Sequence, residues 1–212
     1  MAVLFDHIVV SARARLEGGA HVTRLTGVEM GMGGEHEGLG THNLLCQLGG
    51  DVFLEVISRN PDEPKPDRPL WYGLDNPPDA PALSAWVLGS DDLDRTLARA
   101  AELGHDLGRP LAVQRGALSW RFALLADGGA AVDGSAPYVM QWDQPDPHPS
   151  MQMADPGLRL QTFNIETPRA DDLSRLLDAL LISDDRVVVT QGNALRFSAT
   201  LKTPDGASKT LT

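Results

Sequence analysis

Leu4-Phe5-Asp6-His7-Ile8-Val9-Val10 is a short apolar run with one polar break, and residues Arg13–Leu25 follow it with helical spacing. The pattern returns as Ala82-Leu83-Ser84-Ala85-Trp86-Val87-Leu88 ahead of Asp91–Leu103. It returns again as Leu160-Gln161-Thr162-Phe163-Asn164-Ile165-Glu166 ahead of Pro168–Leu181. The starts, at residues 4, 82 and 160, are evenly spaced, as in a chain built from repeated supersecondary units.

Each copy continues in the same way. Thr167 and Pro168 open the third helix, whose Leu173, Leu176, Leu177, Leu180 and Leu181 form one apolar stripe. Ser90 caps the second helix, Asp91, Asp92 and Asp94 suit its N-terminal dipole, and Gly104 ends it. Gly18 and Gly19 interrupt the first. Three strands follow each helix: 34–40, 42–48 and 52–58; 111–114, 118–126 and 138–142; 186–190, 195–202 and 208–211. Each unit is therefore βαβββ and the class is α+β. A sheet with one helix on one face leaves its other face to be covered by a second sheet or to form a cavity.

Prolines cluster in residues 61–81 and again in 145–156, where apolar periodicity is lost. They divide residues 1–143 into a first unit (about 3–60) and a second (about 82–143), joined by connector 61–81, and set off a third unit over 158–212. The connector carries Leu70-Trp71-Tyr72-Gly73-Leu74, which either packs down on the body or forms a lid over a pocket.

Composition excludes several classes. A net charge of −11 without a Lys/Arg cluster lacks the footprint of a nucleic-acid binder. No stretch reaches membrane length, and the N-terminal run meets Asp6 and His7 too soon for a signal-peptide core. The single cysteine, Cys46, rules out an internal disulfide framework, reads as a small core side chain, and points to a cytoplasmic location.

The Phe5-Asp6-His7-Ile8-Val9-Val10 start, Gly40-Thr41-His42-Asn43, Val52-Phe53-Leu54-Glu55-Val56-Ile57 and Trp71-Tyr72-Gly73-Leu74-Asp75 together resemble the glyoxalase-like domain proteins of the vicinal oxygen chelate superfamily. The superfamily includes glyoxalase, bleomycin-resistance and extradiol dioxygenase proteins, and the resemblance runs through the first 143 residues. It implies two βαβββ units paired around a cup-shaped, mainly antiparallel sheet, with the third βαβββ-like unit added at the C-terminus. Metal enzymes of the superfamily hold a divalent metal in the cup. Bleomycin-resistance proteins use the same cup without metal to sequester a drug.

The resemblance also implies ligand positions. A ligand on the first strand and a carboxylate on the last fall on His7 and Glu55. The second unit offers Ser84 or Trp86, and Gln141, none of them a good metal ligand, so half of the usual set is missing. Within unit one, where His36 also lies near the sheet, His7, His42 and Glu55 form a two-histidine, one-carboxylate set suited to a divalent ion. The same residues otherwise form a metal-free polar pocket, or serve structure: His42 fixing the strand entry, His7 satisfied beside Asp6. Glu55 interrupts an apolar run. If it faces the cup unpaired, its pKa rises and it suits a general base; otherwise it faces solvent. Trp86, Trp120, Arg121 and Trp142 lie on second-unit strands and either pack in the core or give the cup an aromatic wall with one cation, suited to a planar or anionic molecule. Gln141 is the polar member of that substrate-binding set.

Other chemistries lack a frame. Gly31-Met32-Gly33-Gly34 does not lie between a buried strand and a helix, and no Ser stands in a nucleophile elbow. The expected function is a small-molecule-binding protein with its site in the cup between units one and two. The alternative is a metal-dependent or Glu55-based isomerase, lyase or dioxygenase-type enzyme. The third unit has no fourth to pair with, so its apolar sheet must pack on the two-unit body or on a second copy, and a two-fold dimer is the expected assembly.

Overall fold

The computed structural model describes residues 2–212. Unit one contributes β1 (Val3–Ser11), α1 (Arg15–Thr26), β2 (Gly31–His36), β3 (Thr41–Gln47) and β4 (Phe53–Arg59). Unit two contributes β5 (Ala82–Ser90), α2 (Leu93–Glu102), β6 (Arg109–Arg115), β7 (Leu118–Leu124) and β8 (Tyr138–Trp142). Both make one eight-stranded sheet, ordered β2-β3-β4-β1-β5-β8-β7-β6. Only β1·β4 and β5·β8 are parallel; β1 meets β5 antiparallel at the centre. The sheet curls until its edge strands β2 and β6 touch, enclosing a cup.

The glycines of α1 mark a close approach rather than a break. A Cβ on Gly18 would lie 2.4 Å from Val56 Cγ1, and one on Gly19 would lie 2.6 Å from Leu44 Cδ1. Glycine lets the helix lie directly on β3 and β4, and Gly27, with φ 73°, ends it in the left-handed region. At α2 the cap is Asp92, which accepts from the Arg95 amide, while Ser90 accepts from the Asp92 amide one step earlier. In the third unit Thr167 accepts from the Arg169 amide, and the helix starts at Ala170 rather than at Pro168.

Unit three contains β9 (Arg159–Thr167), α3 (Ala170–Ala179), β10 (Val187–Gln191), β11 (Arg196–Lys202) and β12 (Ser208–Leu211). Its element order repeats the other two, but its strand order is β10-β9-β11-β12. In units one and two the first strand pairs with the last; here β9 lies between β10, parallel, and β11, antiparallel. A strand–helix–strand rhythm specifies element order and leaves pairing open.

This small sheet covers the outer face of the large one. Phe163 stands 5.8 Å from Phe5 and 5.7 Å from Trp86, ring centre to ring centre, and is fully buried. Phe163, Ile165, Leu173, Leu176 and Phe197 join Ile8, Val10, Leu54 and Leu88 in one apolar core. The third unit thus packs on the two-unit body of its own chain, one of the two arrangements expected for its apolar sheet. A second core, built on Val9, Phe53, Ile57, Val87, Phe122 and Met140, fills the cup.

Candidate functional site

Beside β5, β1 carries a register shift between Phe5 and His7. Phe5 faces the outer core, while the side chains of Asp6 and His7 both bond on the cup side. Asp6 Oδ1 lies 2.6 Å from His7 Nδ1. The other Asp6 oxygen accepts from Trp142 Nε1 at 2.9 Å and lies 3.0 Å from His148 Nε2. His7 Nε2 faces Glu55 Oε2 at 3.6 Å, an ion pair rather than a hydrogen bond. Glu55 Oε1 accepts from Asn43 Nδ2 at 2.5 Å, and Asn43 Oδ1 accepts from the Gly34 amide at 2.9 Å. Asp6, His7, Asn43 and Glu55 are all buried.

Both nitrogens of His7 face carboxylates, so the ring holds two protons. Burial alone lowers its pKa, but the Asp6 hydrogen bond and the two nearby carboxylates outweigh it and raise the pKa from 6.5 to about 9. Burial likewise works against the charge on Glu55, and His7, His36 and the Asn43 amide outweigh it, holding the carboxyl below its ordinary value. Burial also works against the charge on Asp6, and its hydrogen bonds to His148 and His7 outweigh it and hold the carboxyl well below its ordinary value. A general base needs the opposite shift, and Glu55 is held as a buried anion instead. His36, packed edge-on to Trp71, is pushed down to about 4 by burial, with Arg115 and His42 adding to the effect.

Connector residues fill one end of the cup. Trp71 Nε1 donates to Thr41 Oγ1, Ser11 Oγ donates to the Tyr72 carbonyl, and Tyr72 sits against Tyr138 with ring centres 4.8 Å apart. Tyr72 adopts φ 55°, a strained value for an aromatic residue that the surrounding packing enforces. Of the two expectations for this segment, packing down on the body is what the structure shows. At the other end Gln47 Nε2 donates to the Ser150 carbonyl and ties residues 149–152 across the opening. Between these plugs, at the lip where β2 meets the β6–β7 hairpin, lies an open cavity of about 520 Å³. Gly33, Gly34, Leu45, Arg115, Leu118 and Met153 are among its lining residues.

The strands bring His7 and Glu55 together but leave other expected site residues outside. Asn43 faces the cup, so its neighbour His42 faces the outer side, bonded to Ser58 Oγ and within the fields of Arg15 and Glu35. His42 is therefore no third ligand to His7 and Glu55. Trp120 and Phe122 line the cup, which turns Arg121 outward to Asp94 Oδ2 and Gln141 Oε1. Gln141 also accepts from the Leu93 amide at the start of α2. Trp86 packs in the outer core against Phe5 and Phe163 and donates to the Ser135 carbonyl. None of Trp86, Arg121 and Gln141 faces the cup interior. Asn43, His148 and Arg115 were missed: two of them have only their strand parity as a signal, and His148 lies in a Pro-rich connector.

The superfamily implies a divalent metal in the cup, but the donors here do not fit one. With Nδ1 bonded to Asp6, His7 has Nε2 as its one donor, beside Glu55, and the neighbouring cup-facing positions on β5 and β8 are Val87, Tyr138 and Met140. Among the described residues no group of three or more His, Cys, Asp or Glu side chains is arranged to hold a metal ion. The proton on His7 supplies one positive charge between Asp6 and Glu55, and Asn43 and Trp142 donate hydrogen bonds to the two carboxylates.

Comparison with known proteins agrees with this architecture. The glyoxalase-like domain family matches residues 5–181, reaching through β9 and α3. A hypothetical protein from Staphylococcus aureus has 12% identity and a TM-score of 0.63, over 92% of this chain and 88% of that one, and so shares the fold of nearly the whole chain. A Streptomyces coelicolor methylmalonyl-CoA epimerase variant in complex with 2-nitronate-propionyl-CoA has 16% identity and a TM-score of 0.42, over 65% and 92%. Methylmalonyl-CoA epimerase from Mycobacterium tuberculosis has 15% identity and a TM-score of 0.39, over 65% and 85%. No curated protein matches the sequence. No helix among the described residues is long and apolar enough to cross a membrane.

Proposed function

We propose a function for a chain that belongs to the glyoxalase-like domain family of the vicinal oxygen chelate superfamily: it binds a small molecule at the lip of the cup, between units one and two. The observation that carries this reading is the cavity of about 520 Å³ lined from both units, within the size range of ligand pockets. The deeper cup, where a metal enzyme works, is filled by Trp71 and Tyr72, and His7 there is held as a cation between Asp6 and Glu55. Glu55 as a base is the weaker reading, because it is buried, ionised and held by Asn43 and His7.

The test is a fragment screen read by methyl NMR. Fragments that bind as proposed shift Met32, Leu45, Leu118 and Met153 together and leave the outer-core Leu54 unchanged. A screen in which hits move none of the four would sink the reading. Metal analysis of untagged protein purified without added metal separates the alternative. Stoichiometric metal, lost in His7→Ala, would restore the metal-dependent reading.

A further inference from the structure

Arg115 is the cation of that cavity. Its stem lies across the β2 backbone, where a Cβ on Gly34 would come within 2.8 Å of both Arg115 Cγ and Cδ. Its guanidinium carbon sits 5.9 Å from the Trp120 ring centre. The side chain is thus held between Gly34 on one strand and an indole on another, and it is only half-exposed. Among the described residues it has no carboxylate within ion-pair distance, although its side chain is packed in place and partly buried. Glu55 acts on it only from beyond contact distance, so its guanidinium is positioned without a carboxylate bonded to it.

The surroundings favour an anion. Glu35, although it borders the cavity, pairs in register with His42 and acts on that outward-facing ring. Glu37 stands at the exposed rim, where water screens it. Inside, Leu45, Leu118 and Met153 supply an apolar wall, and Glu55, whose charge reaches Arg115, is itself engaged by Asn43 and His7 and makes no contact with the guanidinium. Burial works against the charge on Arg115, so an incoming acid group would relieve that cost.

Building on the cavity reading above, we propose that this site selects a small organic acid, whose carboxylate pairs with the Arg115 guanidinium and whose apolar body lies against Leu118 and Met153. Arginine's planar fork matches a carboxylate with two parallel hydrogen bonds. The relay Gly34–Asn43–Glu55–His7 then links the occupied lip to the buried charges through three polar contacts.

The experiment titrates benzoate, benzamide and inorganic phosphate into the full-length protein, reading the Arg115 side-chain Nε–H and the Trp120 indole N–H by NMR. Benzoate should shift both saturably and bind at least about tenfold tighter than benzamide, with Arg115→Gln abolishing the difference. Arg121→Gln, on the outer face, should leave it intact. Phosphate binding as tightly as benzoate would overturn the organic-acid assignment in favour of a bare anion site. Equal binding of benzoate and benzamide at the cavity methyls would overturn the role of Arg115 while leaving the cavity reading intact. If neither compound moves those methyls, the organic-acid site is refuted; the cavity reading fails separately if no fragment in the screen moves them.

Discussion

The charge state of His7 gives the molecule a distinctive pH–stability profile. From 6.5 to about 9 the folded chain keeps a proton that an unfolded His7 has released, so this stability is complete below 6.5 and is lost as pH rises toward 9. His36 acts in the adjoining window with the opposite sign. Between about 4 and 6.5 the unfolded chain takes up a proton that the folded chain refuses, so stability grows as pH rises through that range. At about 1.4 kcal/mol per pH unit, each limb spans about 3 kcal/mol, a large share of a total of about 5–15. Asp6 and Glu55, both held low, steepen the fall on the acid side. Cys46, pushed up to about 11 by burial, acts only above the window. Urea unfolding followed by tryptophan fluorescence at half-unit pH steps should therefore show a maximum near pH 6.5. His7→Gln should flatten the alkaline limb while lowering stability overall by about 3–5 kcal/mol, since Asp6 and Glu55 lose their shared cation. His36→Gln should flatten the limb from 4 to 6.5. A wild-type profile level within about 1 kcal/mol between pH 6.5 and 9 would show that His7 is not held as the imidazolium.

Gly18→Ala should destabilise the protein by about 1–2 kcal/mol by thermal unfolding, because the clash with Val56 outweighs the propensity gain of about 1; a neutral or stabilised variant would show that α1 can lift from the sheet. Phe163→Ala should cost about 3–5 kcal/mol and increase dye binding to exposed apolar surface, because this ring joins the third unit to Phe5 and Trp86. Trp71→Ala should open the cup beside His36 and raise its pKa from about 4 toward the ordinary histidine value, followed by NMR titration; an unmoved His36 would show that another group keeps it dry.

What was legible in the sequence is what period and spacing specify. The even starts at 4, 82 and 160 marked three strand–helix units, and the apolar runs and turn residues marked the strands that follow each helix. Which alternate set faces inward was not visible, because a one-residue change of parity exchanges the two faces. Arg121 and Gln141 were lost from the cup in this way, and Asn43 took the place expected for His42. The register shift in β1 was equally hidden, yet it puts the neighbours Asp6 and His7 on one side of a strand where regular alternation would part them. Nor does a repeat specify pairing, as β9 shows by lying between β10 and β11. The chemistry of the cup follows from these local departures. With Asp6 turned inward beside His7, two buried anions face one ring, and its second proton offsets one of the two negative charges. A divalent cation would have to displace that proton, and the strands next to His7 offer it only Val87, Tyr138 and Met140, which are no strong donor set.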